Sequence, residues 1–204
     1  MPNLSLELQL GGRVAGIDEV GRGSLAGPVV AAAVVLNVVS LPIQLLAALD
    51  DSKRLRPPKR EALLTALTAG ADIGIGHADV AEIEARNILQ ATFLAMARAV
   101  GMLGIVDYAI IDGNSIPKLP VPALSLVKGD GFSASIAAAS IVAKVTRDRL
   151  MKRLAVAHPG YGWETNVGYG TIAHLNAIDT LGLTPHHRRS FCHRVERTTI
   201  ESKP

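Results

Sequence analysis

A single cysteine, Cys192, stands among 204 residues, so no internal disulfide can staple the fold. The N-terminus also lacks the basic, then apolar, then small-residue order of a secretory signal, and the two absences together predict a reducing cytoplasm. Aromatics make up only 3% of the chain while apolar residues reach 49%, so the core must be assembled from Ala, Val, Ile and Leu. That composition suits helices packed on a largely buried sheet, an α/β fold. No long uninterrupted apolar run exists either. The nearest, Pro28 to Leu49, is broken by Asn37, Ser40, Pro42 and Gln44 and reads as a strand, a linker and a short helix, not a membrane span. Internal repeats and low-complexity segments are absent. Lys and Arg (21) exceed Asp and Glu (18) by three, a surplus that permits nucleic-acid binding without predicting it.

What is present centres on Val14-Ala-Gly-Ile-Asp-Glu-Val-Gly-Arg-Gly-Ser-Leu-Ala-Gly-Pro28. Asp18 and Glu19 close a short apolar segment just ahead of a glycine-rich turn. Neighbouring carboxylates repel, and strand neighbours normally face opposite ways, so keeping both at a strand end points to a shared cation. In Gly21-Arg22-Gly23, glycines permit close backbone approach to a ligand, and the arginine offers a fork matched to phosphate oxygens. The run is not a dinucleotide fingerprint, because Gly27 falls one place late and a β-rich segment follows Pro28; no Gly-Lys-Ser/Thr makes it a P-loop.

Strands are expected over residues 13–20 and 28–37, joined as a hairpin by the glycine turn. A charged loop, residues 50–56, precedes Pro57-Pro58 and a helix over about 59–69. On residue type alone, Ser52 and Lys53 in that loop read as a solvated helix lead-in. A short strand (71–77) and a helical stretch (78–100) broken near Asn87 follow, then a strand (107–111) ending at Asp112 and turned sharply by Gly113-Asn114. A carboxylate at the C-terminal end of a buried strand is where an α/β site is expected. A further strand-like run, 121–127, leads to Asp130, which serves helix initiation or a site equally well, and then to a long helix over about 133–157. Small residues along that helix allow close packing, and Lys144, Arg147, Arg149, Lys152 and Arg153 read as a solvated basic flank. Tyr169, between two glycines, is expected to be exposed. His186 and His187 lack the spacing of a zinc site, and Cys192 reads as a structural thiol.

Gly16 to Pro28 resembles the opening signature of the ribonuclease HII family, the type 2 ribonucleases H. Asp51-Ser-Lys53, Ile111-Asp-Gly-Asn114, Lys128-Gly-Asp130, the block Ala137 to Asp148, Gly168-Tyr-Gly-Thr171 and His187-Arg-Arg-Ser-Phe191 resemble the family's remaining motifs in the same order. The resemblance covers roughly residues 14–191. It implies a ribonuclease H-like mixed central sheet flanked by helices with a small C-terminal helical extension, laid out as a lead-in (1–12), a catalytic domain (13–191) and a polar tail (192–204). It also implies an endonuclease that hydrolyses the RNA strand of RNA–DNA hybrids and cuts 5′ of single ribonucleotides in duplex DNA, leaving 3′-hydroxyl and 5′-phosphate ends, as in primer removal and ribonucleotide excision.

By the resemblance, Asp18, Glu19, Asp112 and Asp130 are catalytic and hold metal. All-oxygen ligands suit Mg²⁺ or Mn²⁺, two ions roughly 3.5–4 Å apart clamping the scissile phosphate. Gly21, Arg22, Gly23, Ser52, Lys53 and Tyr169 would bind substrate, with Tyr169 backing a sugar and Ser52 and Lys53 on phosphates. Asn166-Val167 stand where the family more often has a His-Lys pair, which puts one cationic contact in doubt. The expected partner is a hybrid or ribonucleotide-containing duplex, with no membrane, and the chain is expected to be a monomer. The tail, Val195 to Pro204, shows no aromatic pair suited to docking on a replication clamp. Two alternatives remain: the type 3 relative, whose extra N-terminal domain would not fit the roughly dozen residues before the first strand, and a hybrid-binding module without catalysis, against which all four acids count.

Overall fold

The computed structural model describes residues 1–192. Five strands form one sheet: β1 (Val14–Val20), β2 (Val29–Leu36), β3 (Ala71–Ala78), β4 (Tyr108–Asp112) and β5 (Ala123–Leu126). Their order is β3-β2-β1-β4-β5, with β1–β2 and β2–β3 antiparallel and β1–β4 and β4–β5 parallel. The sheet is therefore mixed, as expected, and β1 lies at its centre.

Eight helices lie wholly within the described residues: α1 (Ser5–Leu10), α2 (Ile43–Ala48), α3 (Pro57–Gly70), α4 (Val80–Arg86), α5 (Ile88–Gly101), α6 (Ala134–Ala157), α7 (Trp163–Asn166) and α8 (Ile172–Leu181). The strand alternation sorts them into layers. Ala32, Val34 and Leu36 of β2 pack on α2, α3 and α6, whereas Ile17, Ala31, Ala33 and Ile111 pack on α4 and α5. All eight residues of β2 are buried, which explains its unbroken apolar run. Asn87 breaks the fourth helix from the fifth by a positive φ (68°) with extended ψ (164°), and its side chain caps α5.

The scarcity of bulky core residues shows in how near α6 comes to β1. A Cβ on Gly16 would stand 2.2 Å from the Ser135 carbonyl carbon and 2.3 Å from the Ile136 nitrogen. Glycine is required there because backbone meets backbone.

The expected hairpin forms, β1 and β2 being antiparallel neighbours joined by residues 21–28. Two other features depart from expectation. The lead-in over residues 1–12 is ordered and packed: α1 places Leu6 and Leu10 beside Val14, Ile110 and Ile136, and Glu7 is buried. Arg147 is not on a solvated flank but fully buried, while Lys152 and Arg153 are exposed as expected. No helix among the described residues is long and apolar enough to cross a membrane. The expectation about a clamp-docking pair falls on Val195 to Pro204, outside the described residues.

Candidate active site

Asp18 and Glu19 lie one pair apart in the β1–β2 ladder, opposite Ala32 and Ala31. Asp18 shares the parity of Gly16 and so faces α6. Both carboxylates nonetheless line one cleft of about 260 Å³ with Val20, Ser52, Lys53, Ser140, Lys144 and Tyr169. Five predicted residues from three separate stretches of chain thus meet in one place. Ser140 comes from α6 and donates to Ser52 Oγ (2.7 Å), which ties the loop after α2 to the cleft.

Asp112 ends β4, beside β1, and its Oδ1 accepts the Gly129 N–H at 2.7 Å, so it orders the turn that carries Asp130. Asp130 sits in that 3-10 turn (Gly129–Gly131), not at the helix cap; Ser133 caps α6 by accepting the Ile136 N–H. The reading of Asp130 as a helix initiator is thereby excluded.

Electrostatics ties the four acids together. Burial pushes the Asp18 carboxyl well above the usual carboxylate range, and the charges of Glu19 and Asp112 push it further, against a Glu19 N–H and the Ser140 hydroxyl that favour ionisation. Glu19 is raised by burial, opposed by Arg22, whose Nη1 lies 3.2 Å from Oε1. Asp130 is raised by burial and then by Asp112 and Asp51. Lys53 answers them: burial lowers its pKa, but Asp51, Asp18, Asp130 and Asp112 outweigh that and hold the ammonium charged. Among the described residues, no three His, Cys, Asp or Glu side chains are gathered tightly enough to form a ready ligand cage. Each of three acids is engaged locally: Asp18 Oδ1 accepts the Glu19 N–H, Glu19 Oε1 accepts from Arg22, and Asp112 Oδ1 accepts the Gly129 N–H.

The loop of Gly21, Arg22 and Gly23 adjoins Glu19 without lining the cleft. Arg147 reaches beneath it, donating to the carbonyls of Pro28 (2.9 Å), Ala26 (3.0 Å) and Val167 (2.8 Å) and to Ser24 Oγ (2.7 Å). Tyr169 is 38% exposed and lies over the Arg147 guanidinium at 5.9 Å. Its backbone is held from behind. Trp163 Nε1–H donates to His174 Nε2 (2.9 Å), so that nitrogen carries no proton and His174 Nδ1–H donates to the Tyr169 carbonyl (2.9 Å). The Thr184 N–H donates to His187 Nδ1, which leaves His187 Nε2–H to donate to His174 Nε2 (3.1 Å). Burial lowers both imidazoles, His187 to about 4 with help from the neighbouring histidines, so both are neutral near pH 7. His187 is therefore structural. Asn166 also serves the loop, donating to the Tyr161 carbonyl and accepting the Gly168 N–H.

Comparison with known proteins settles what this scaffold is. The ribonuclease HII family model matches residues 15–199. The chain belongs to the ribonuclease HII family. It is 62% identical over 194 residues to ribonuclease HII of Rhodospirillum rubrum, covering 94% of this chain and 89% of that one. Ribonuclease HII of Paramagnetospirillum magneticum is 59% identical over 192 residues, with 94% and 96% covered. Among solved structures, ribonuclease H2 of Pyrococcus horikoshii superposes with a TM-score of 0.77 at 26% identity, covering 92% of this chain and 98% of that one. Bst ribonuclease HIII, solved with Mn²⁺, gives a TM-score of 0.69 at 20% identity, covering 97% and 75%, a likeness of fold. The protein is accordingly a type 2 ribonuclease H, an endonuclease.

Several residues the site depends on gave no usable signal in the sequence. Glu7 Oε1 accepts the Ser133 and Ser135 hydroxyls (2.7 Å each) and the Ser135 N–H (3.0 Å), and Asn3 bridges Phe132 and Ala134. The N-terminal segment therefore clamps the turn bearing Asp130. Arg147 read as one of five basic residues, and nothing in spacing marked it as buried. Arg188 read as part of a basic run, yet it is buried too and is bonded to the glycine loop.

Proposed function

We propose that the protein hydrolyses the RNA strand of RNA–DNA hybrids and cuts on the 5′ side of single ribonucleotides embedded in duplex DNA, leaving 3′-hydroxyl and 5′-phosphate ends. The observation that carries this reading is the cleft itself, lined by Asp18 and Glu19, whose carboxyls burial pushes up, together with a charged lysine and an exposed tyrosine. In this reading Asp18, Glu19, Asp112 and Asp130 hold Mg²⁺ or Mn²⁺. The donor set fits such ions: it is all oxygen, and it crowds negative charge that a hard cation would relieve. When bound, the ions supply Lewis-acid polarisation of the phosphate and a lowered pKa for attacking water.

The remaining residues bind and orient. Lys53 and Ser52 hold a backbone phosphate at the rim, and Tyr169 offers its ring to the neighbouring sugar while its carbonyl stays anchored to His174. Gly21, Arg22 and Gly23 meet the groups around the 2′-hydroxyl, the feature that separates RNA from DNA at a site. No protein nucleophile is required. The reading also takes the enzyme to work as a monomer in the cytoplasm.

The test is cleavage of a labelled DNA duplex holding one ribonucleotide, with and without Mg²⁺ or Mn²⁺, for the native chain and Asp112→Asn. Metal-dependent cutting 5′ of the ribonucleotide that disappears in the variant is expected. Tight binding with no cutting in either metal would instead make the chain a recognition module on this fold.

A further inference from the structure

Arg147 and Arg188 are both fully buried, and among the described residues neither has a carboxylate within ion-pairing distance. A buried charge without a counter-charge is expensive, so something must compensate it. Here it is the glycine loop. Arg188 Nη2 donates to the Gly21 carbonyl (2.7 Å), Nη1 to the Arg22 carbonyl (2.9 Å) and Nε to the Gly27 carbonyl (2.9 Å). With the Arg147 bonds, the carbonyls of residues 21, 22, 26, 27 and 28 all turn inward to two guanidiniums. Gly21 alone can sit there: its φ is +90°, and a Cβ would stand 2.1 Å from Arg147 Nε.

The consequence lies on the other side of each peptide plane. A trans peptide points its N–H opposite to its C=O, and the described chain has no cis bonds. Drawing the Gly21 and Arg22 carbonyls inward therefore turns the N–H groups of Arg22 and Gly23 outward. Both residues are exposed, the Arg22 side chain is paired with Glu19, and neither amide donates to a protein acceptor among the described residues. Leu25, Ala26 and Gly27, by contrast, have their amides bonded to the Gly168 and His186 carbonyls.

We propose that Arg188, backed by Arg147, is a positioning residue: its three-point grip on the loop carbonyls aims the paired amides of Arg22 and Gly23 at a sugar–phosphate oxygen of the strand to be cut. The inference rests on the assignment of the glycine loop to substrate in the proposed function. Its force comes from the fork geometry, because a lysine at 188 would keep the charge but could not hold three carbonyls in one plane. Burial, and after it the charge of Arg147, holds the Arg188 pKa down to about 9.

The experiment compares the native chain with Arg188→Lys and Gly23→Ala on the single-ribonucleotide duplex, measuring KM and kcat, duplex binding by fluorescence anisotropy, and thermal stability. Gly23→Ala covers the case in which position 188 does not tolerate change, since a Cβ at Gly23 meets nothing within 4 Å and its φ is ordinary. Arg188→Lys is expected to raise KM and Kd by about tenfold, the scale of one well-made hydrogen bond lost, and Gly23→Ala to raise both because its methyl group stands between the outward amides and the substrate, with kcat changed far less in each. Native KM and Kd in either folded variant would overturn the inference. So would a loss confined to kcat. Absence of cutting by the native chain would overturn the proposed reaction instead, and the anisotropy comparison would still decide the role of Arg188.

Discussion

Replacing Gly16 by alanine tests the central joint of the molecule. The added Cβ would stand 2.2 Å from one backbone atom of α6 and 2.3 Å from another. Ordinary carbon contacts are about 3.5–4.0 Å, so helix and strand must part by roughly 1 Å or more. Overpacking costs about 1–3 kcal/mol, and the upper end applies because neither contact is the tip of a flexible side chain. For a domain of this size about 3 kcal/mol lowers Tm by roughly 6–12 °C. Activity suffers separately: Asp18 rides on the strand and Ser140 on the helix, and a displacement of about 1 Å in a catalytic constellation can cost ~100-fold. Gly70→Ala is the control. It lies at the end of α3 with nothing within 4 Å, and alanine there is neutral or stabilising by up to about 1 kcal/mol. Differential scanning calorimetry and the cleavage assay read both. A Gly16→Ala protein melting within about 2 °C of native and cutting at the native rate would refute the close-approach argument.

Two further outcomes follow from groups behind the site. Glu7→Ala strips a buried carboxylate from three donors at the start of α6 and should cost about 2–3 kcal/mol, seen as a lower urea midpoint with reduced cleavage, while Glu7→Gln keeps one acceptor oxygen and most of both. Equal midpoints for the two variants would show that Glu7 merely fills space. The neutral pair His174–His187 has lowered folded pKa values, so its contribution is fully present above the ordinary value of 6.5 and is lost as pH falls from there through about 4. Native Tm should therefore fall more steeply between pH 7 and pH 5 than that of His187→Gln; parallel profiles would remove the pair from the acid response.

Much of the architecture was legible along the chain because it is local. The apolar run of β2, the Pro57-Pro58 start of α3, the Asn87 break and the carboxylate ending β4 are each set within a few residues. Asp18, Glu19 and Asp112 could likewise be singled out locally as carboxylates at strand ends, whereas Asp130 could not, since its position served helix initiation equally well. Their relative arrangement was not legible. Asp112 beside Asp18 depends on β4 pairing parallel to β1 across residues 21–107, and Asp130 depends on a clamp from Glu7 at the other end of the chain.

Burial of charge was the least legible feature. Arg147 occurs in a helix with basic neighbours at every turn, and local sequence cannot distinguish the one facing inward from those facing water. Its direction is decided by what lies opposite, here a loop more than a hundred residues earlier whose Ala26 and Pro28 carbonyls accept its guanidinium. The sequence alone therefore determined the elements and the chemical types at the site. Only the tertiary structure decided which charges are buried, because burial depends on segments distant in sequence and close in space.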